Sequence, residues 1–474
     1  MAIPPLYLRL SPGLPHGIGR PVAALVLCLV AAGFGWMAHA WGWPREQALA
    51  TAILAATVLL WVTETLPLFA TAFISISLQV LLLGNPGEWG WLGFEDGNGP
   101  SLRDFMGAAA DPVLMLFFSG LVLARAAVNT GVDSKLSAVM LRPMADSPSR
   151  LLAGVIITTA SFSLWMSNTA TTALMLTLVA PIVAQLPAGL AFRKALILAI
   201  PVSANIAGMS TPIASPPNAI AMSYIQRAGI SFGFGAWMLL AIPLVVVLLA
   251  ITWWRLLRAY PPPSLVWRVD LPDAALSRRG KWVMAVAIFT FAAWLAEPWH
   301  GVPASAVSML PVTLFFATAI VTRADVNSLD WDVLILIGGG LALGYTLQVT
   351  GLDSRLADII PIGAGDGTRL ALLAAATLGL GTFFSNTAIA SMLMPVAVIS
   401  AGLSTSMGLS TYALTTAFVA SLSMAMPMST PPNAMAHASG ELTTRDFIRT
   451  GGYLGLAGAA IIVVAAILWA RLAG

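Results

Sequence analysis

"WMSNTATTALMLTLVAP" runs from Trp165 to Pro181 and sets Ser, Asn and four Thr inside a stretch otherwise apolar enough for lipid. A polar group left unsatisfied in hydrocarbon costs several kcal/mol, so a cluster of this kind lines a cavity enclosed by protein or bonds back to its own backbone. The rest of the chain decides between these readings. Of its 474 residues 58% are hydrophobic and 9% charged, against roughly 25% charged in soluble domains. Uncharged runs of about 20 residues recur from end to end, which predicts an all-α polytopic membrane protein without a separate soluble domain. The alternating short strands of an outer-membrane barrel are absent. Cys28, the single cysteine, lies in the first run and permits no internal disulfide.

Apolar runs and their breakers predict about eleven transmembrane helices, near 21–43, 47–66, 67–84, 107–130, 194–226, 233–257, 281–297, 303–321, 332–350, 411–439 and 450–472. Two further apolar stretches, 150–190 and 368–404, are interrupted at their centres by SNT and are predicted to be re-entrant hairpins. With the N-terminus cytoplasmic, 17 of the 23 Lys and Arg residues fall inside and six outside, as the positive-inside rule requires. Residues 258–280, Pro-rich and basic, read as a cytoplasmic linker between residues 1–257 and 281–474.

Those two parts repeat. The first holds "FSLWMSNTATTA" and "NIAGMSTPIASPPNAIA", the second "GTFFSNTAIAS" and "MAMPMSTPPNAMA". The SNT copies are 218 residues apart and the PPN copies 215, and Asn168, Asn218, Asn386 and Asn433 are four of the chain's nine asparagines. Paired prolines remove two backbone donors, so the helices 194–226 and 411–439 are predicted to be discontinuous. By the predicted topology the hairpins enter from opposite sides, an inverted repeat of the kind that builds midplane sites in secondary transporters. From Leu151 to Phe192 and from Leu370 to Gly440 there is no Lys, Arg, Asp or Glu. An anion held there must be neutralised by helix N-termini and co-bound cations, and sodium suits hydroxyl, amide and carbonyl oxygens.

Both SNT motifs, both PPN breaks, "WVTETLPL" at Trp61–Leu68 and "LIGGGLALGYTLQVTGL" at Leu336–Leu352 resemble the divalent anion/sodium symporter family over about residues 45–472. The resemblance implies a homodimer, a scaffold and a transport domain moving as an elevator, and co-transported sodium ions with no organic cofactor. One sodium site would use Ser163, Ser167, Asn168 and the Ala214 carbonyl, the other Asn386 with carbonyls near Phe384 and Ser429. Substrate carboxylates would meet Asn168, Thr169 and Ser215 on one side and Asn386, Thr387, Thr430 and Pro431 on the other. Where some sodium-coupled members carry a hydroxyl residue, this chain has Gly381, so the second sodium site is expected to be weakened or lost.

The leading expectation is sodium-coupled import of a C4-dicarboxylate (succinate, malate or fumarate) through a bacterial inner membrane. Its partners would be the divalent anion and membrane lipids, and no nucleic acid. A sodium-independent dicarboxylate exchanger and a sulfate or citrate carrier are the alternatives within transport. A membrane-embedded transferase or hydrolase would need a nucleophile, base or metal cluster at the tips, and the charge-free windows argue against it. Glu64, an acid in an apolar run, and His437 read as either functional or structural.

Overall fold

The computed structural model describes residues 19–84, 92–95, 99–262, 276–357 and 365–473. Among them every regular element is helical. Counting helices of seven residues or more, the order is α1 (Gly19–Ala40), α2 (Arg45–Thr63), α3 (Leu68–Leu82), α4 (Leu102–Ala109), α5 (Val113–Thr130), α6 (Val132–Leu141), α7 (Pro148–Ser163), α8 (Asn168–Ala184), α9 (Ala191–Ala207), α10 (Pro216–Arg227), α11 (Phe234–Ala259), α12 (Arg278–Leu295), α13 (Met309–Ala317), α14 (Trp331–Val349), α15 (Asp366–Phe383), α16 (Asn386–Gly402), α17 (Leu409–Ser421), α18 (Pro431–His437) and α19 (Tyr453–Ala473). Six helical stretches among the described residues are long and apolar enough to cross a bilayer, the longest being Leu102–Thr130 and Thr444–Arg471.

Several elements differ from the simple spans expected. The stretch near 107–130 is α4 and α5, broken where Asp111 turns its carboxylate onto the Val113 N–H at 2.9 Å. The stretch near 303–321 becomes a single turn at Ala304–Val307 and then α13. Most of the expected linker 258–280, from 263 to 275, lies outside the described residues.

The chain divides into two compact units, one comprising residues 1–109 and 338–355, the other 110–337 and 356–474. In the first unit small residues let helices approach closely. A Cβ on Gly35 would meet the Ala48 carbonyl at 2.7 Å, and one on Gly339 would meet Ala72 Cβ at 2.5 Å, which explains the glycine run of α14 as packing surface. Gln79, fully buried on α3, donates to Ser75 Oγ at 3.0 Å and accepts from Thr346 Oγ1 at 2.9 Å, while Thr57 donates to Ser75 at 2.8 Å. The WVTETLPL motif is the α2–α3 corner: Glu64 ends α2 in the left-handed region (φ 47°, ψ 29°), Trp61 Nε1 donates to the Leu68 carbonyl at 3.2 Å, and Pro67 precedes α3. Glu64 itself is exposed.

The second unit carries both repeats. Helices α7 and α8 form one hairpin, α15 and α16 the other, with the SNT asparagine opening the second helix in each. The broken helices are α9 with α10 and α17 with α18. The repeats interlock by exchange: α8 and α9 pack on α18, and α16 and α17 pack on α10.

In both broken helices the prolines occupy the first two positions of the restarting half, where an N–H has no intrahelical acceptor and its loss costs little. The unwound carbonyls are the costlier problem, because a buried C=O without a donor costs about 1–3 kcal/mol. The asparagine after the prolines solves it twice. Asn218 Nδ2 donates to the Gly208 and Thr211 carbonyls, both at 2.7 Å, and Asn433 Nδ2 donates to the Met424 and Met426 carbonyls, both at 2.9 Å. Both asparagines are fully buried.

Two predictions concern stability in detergent. Asn433→Ala and Asn218→Ala each strand two buried carbonyls and are expected to lose about 2–5 kcal/mol, read as a lowered thermal midpoint; an unchanged midpoint would show that the breaks hold without the amides. Glu64→Gly removes the strain of a side chain at positive φ and is expected to add up to ~1 kcal/mol with transport unchanged; loss of transport at intact stability would show that the acid has a functional part.

Candidate functional site

All the expected site residues lie in the second unit. At the first tip α7 ends at Ser163, and Ser167 caps α8 by accepting from the Ala170 N–H at 3.3 Å. Ser163 Oγ lies 2.7 Å from Asn168 Oδ1 and 2.9 Å from the Ala204 carbonyl of α9. One hydroxyl hydrogen faces two acceptors, so three oxygens converge with an excess of lone pairs. The approach depends on Gly208, where a Cβ would stand 2.5 Å from Asn168 Nδ2. Ala214, expected to offer a carbonyl, is buried in the unwound stretch with its N–H on the Thr211 carbonyl at 3.3 Å; the carbonyl that Ser163 reaches is that of Ala204.

At the second tip α15 ends in extended backbone at Phe384, and Ser385 precedes α16 without a side-chain cap. Each tip is tied to its own break in the same way: Thr211 Oγ1 donates to the Leu164 carbonyl at 2.6 Å, and Ser429 Oγ donates to the Thr382 carbonyl at 2.5 Å. The repeats are joined across the centre, where Asn205 Nδ2 donates to Thr430 Oγ1 at 3.1 Å and Asn433 Oδ1 at 3.3 Å. Thr430 in turn caps α18 by accepting from the Asn433 N–H at 3.2 Å. Asn168, Asn386 and Thr387 are partly exposed, Thr169 and Pro431 exposed, and Ser215 and Thr430 buried.

Two of these residues carry polar atoms that are buried and lack a hydrogen-bond partner: Ser215 Oγ and Asn386 Oδ1. Unpaired buried polar atoms are costly, and here they fall on residues assigned to the site from sequence. Among the described residues no three His, Cys, Asp or Glu side chains gather as metal ligands. The oxygens at the tips are hydroxyl, amide and carbonyl, a donor set for a hard cation.

The charges lie at the periphery. Arg193, at the start of α9, is paired with Glu441, and Lys194 Nζ meets Asp446 Oδ2 at 3.0 Å, with Tyr260 donating to Asp446 Oδ1 at 2.8 Å. The Arg193 hydrogen bond holds the Glu441 carboxyl below its ordinary range. His437 closes α18 at the end away from Pro431, edge-on to Phe447 at 6.0 Å, and is exposed. Sequence reasoning missed Asp111. This buried acid accepts from Arg227 Nε at 2.7 Å and Ser223 Oγ at 2.8 Å and so anchors α10. An acid before Pro112 in an apolar stretch was the available signal.

The citrate transporter family model CitMHS matches residues 16–419. An uncharacterized transporter of Haemophilus influenzae is 30% identical over 443 residues, spanning 87% of this chain and 89% of its own. The sodium-dependent dicarboxylate transporter SdcS of Staphylococcus aureus is 27% identical over 473 residues, spanning 89% of this chain and 85% of its own. An uncharacterized transporter of Schizosaccharomyces pombe is 26% identical over 429 residues, and the chain spans 48% of that protein's length. Among solved structures, the YdaH transporter of Alcanivorax borkumensis shares the fold with TM-score 0.50 at 15% identity, over 88% of this chain and 98% of that one. The chain belongs to the CitMHS citrate transporter family, with the sodium-dependent dicarboxylate transporter SdcS among its relatives, and is an integral membrane transporter, not an enzyme.

Proposed function

We propose that the protein is a sodium-coupled symporter of a small divalent anion, a C4-dicarboxylate such as succinate, malate or fumarate, in a bacterial inner membrane with its N-terminus cytoplasmic. The observation that carries this reading is the pair of hairpin tips facing two broken helices, with Asn386 Oδ1 orphaned at the second tip and Ser215 Oγ orphaned at the first break, in stretches (151–192, 195–226 and 370–440) without Lys, Arg, Asp or Glu. Asn168, Thr169 and Ser215 from one repeat and Asn386, Thr387, Thr430 and the Pro431 region from the other would hold the two carboxylates. The N-termini of α8, α10 and α16 supply partial positive charge. Sodium would sit with Ser163, Ser167, Asn168 and Ala214, and with Phe384, Asn386 and Ser429. A dianion without fixed counter-charge is strongly disfavoured in a low-dielectric layer, and co-bound cations remove that penalty, which enforces coupling. The SdcS relative, described as a sodium-dependent dicarboxylate transporter, supports the same reading. Two observations each favour an alternative: Gly381 suits a sodium-independent dicarboxylate exchanger, and the family model's description suits a citrate carrier.

Radiolabelled succinate uptake into proteoliposomes tests the reading. Uptake is expected to follow an inward sodium gradient. Asn168→Ala and Asn386→Ala are expected to impair succinate uptake and its sodium dependence together, since each amide offers an oxygen to the cation and an N–H to the anion. Uptake driven only by internal dicarboxylate would select the exchanger, a preference for citrate the citrate carrier, and no uptake of any dicarboxylate, citrate or sulfate would overturn all three.

For movement, the reading is an elevator in a homodimer, the hairpins and broken helices travelling together. Helices α7, α8, α15 and α16 have 16, 17, 18 and 17 residues, about 24–27 Å, at the short end of what crosses a hydrocarbon core, which is compatible with re-entrant hairpins. In a Cys28→Ser background, Ser161→Cys on the first hairpin and Phe383→Cys on the second, the latter 62% exposed, are suitable probes. Labelling by a membrane-impermeant thiol reagent is expected to switch sides when sodium and substrate gradients are reversed. One-sided labelling under every gradient, in a transport-active protein, would count against an elevator.

A further inference from the structure

Four residues before the SNT serine the two repeats differ: the first has Ser163, the second Gly381. In the first, Ser163 Oγ brings a hydroxyl oxygen to the Asn168 amide oxygen and the Ala204 carbonyl. In the second, residue 381 brings none, and Asn386 Oδ1 is buried without a partner. The space beside Gly381 is nevertheless filled. A Cβ added there would meet Ser423 Oγ at 2.5 Å and Ser423 Cβ at 2.6 Å. The Ser423 hydroxymethyl group, fully buried just beyond the end of α17, therefore stands where a side chain at 381 would begin. Its own hydrogen bonds are long, 3.3 Å to the Thr377 carbonyl and 3.2 Å to the Val419 carbonyl, and one hydrogen serves both. Its lone pairs are uncommitted.

We infer that Ser423 supplies, from the second broken helix, the hydroxyl oxygen that Gly381 cannot give to a cation held at Asn386. The second tip keeps the donor types of the first but draws one from a different helix. A hard monovalent cation suits such a set, and the inference rests on the sodium-symport reading above in taking that cation as sodium. The competing account is local: a serine at a helix end that bonds back to the carbonyl four residues earlier and merely fills the gap left by glycine.

The two accounts separate in a sodium titration of purified protein, read by ²²Na⁺ binding in a scintillation proximity assay and, in parallel, by succinate uptake. Ser423→Ala is expected to weaken one component of sodium binding by about tenfold or more while leaving the component that Ser163→Ala removes. Because Ser423→Ala also leaves a gap, two paired variants keep the volume. Gly381→Ser with Ser423→Gly returns the hydroxyl from the other helix and is expected to restore sodium binding. Gly381→Ala with Ser423→Gly fills the same space without oxygen and is expected not to. Equal binding by both pairs, or wild-type binding by Ser423→Ala, would reduce Ser423 to packing while leaving the symport reading intact. A wild-type protein that exchanges dicarboxylates but binds no sodium would overturn the symport reading, and this inference with it.

Discussion

A helix broken inside apolar surroundings must find donors for the carbonyls it releases, and the structure depends on how that is done here. In each repeat one asparagine, Asn218 or Asn433, spends both hydrogens of its amide on two carbonyls of the unwound stretch. This lets α9–α10 and α17–α18 remain open where a continuous helix would close the site. The same constraint explains the hydroxyls that tie each hairpin tip to its own break, Thr211 to Leu164 and Ser429 to Thr382. Polarity in these segments is first a means of keeping irregular backbone buried, and only the atoms left over are available to ligands.

Those leftover atoms are unevenly shared between the repeats. Asn205 bridges to Thr430 and Asn433, while Asn218 Oδ1, Ser215 Oγ and Asn386 Oδ1 remain unpartnered. The first tip has its oxygens already gathered around the Ser163 hydrogen; at the second Asn386 Oδ1 has no hydrogen-bond partner, and Ser423 stands in the place beside Gly381. The two repeats thus present chemically different sets of polar atoms at their tips and breaks.

Much of this was legible in the sequence because it follows from exclusion. Charge-free windows, repeated SNT and PPN, and paired prolines leave few foldings that satisfy the backbone in lipid, and the helices are interrupted at both SNT and both PPN motifs. What was not legible depended on contacts between segments far apart in sequence. The partnership of Asp111 with Arg227 and Ser223 spans more than a hundred residues, and nothing local distinguishes Arg227 from a topology-setting charge. The close approach of Ser423 to Gly381 is likewise invisible until α15 and α17 are packed. The α4–α5 break was missed because the hydropathy of 107–130 is continuous, and the Asp111 carboxylate supplies the cap that makes the break tolerable. Glu64, ambiguous as an acid in an apolar run, ends α2 in the left-handed region at the α2–α3 corner, a backbone state that its sequence context does not announce.

The central claim is that a site lacking fixed cationic side chains holds its dianion only together with cations. Equilibrium binding measures this most directly: succinate affinity of the purified protein across sodium concentrations at constant ionic strength, paired with sodium affinity across succinate concentrations. The account predicts that each ligand tightens the other by the same factor, as thermodynamic linkage demands. Succinate affinity independent of sodium, with choline as the replacement cation, would contradict it.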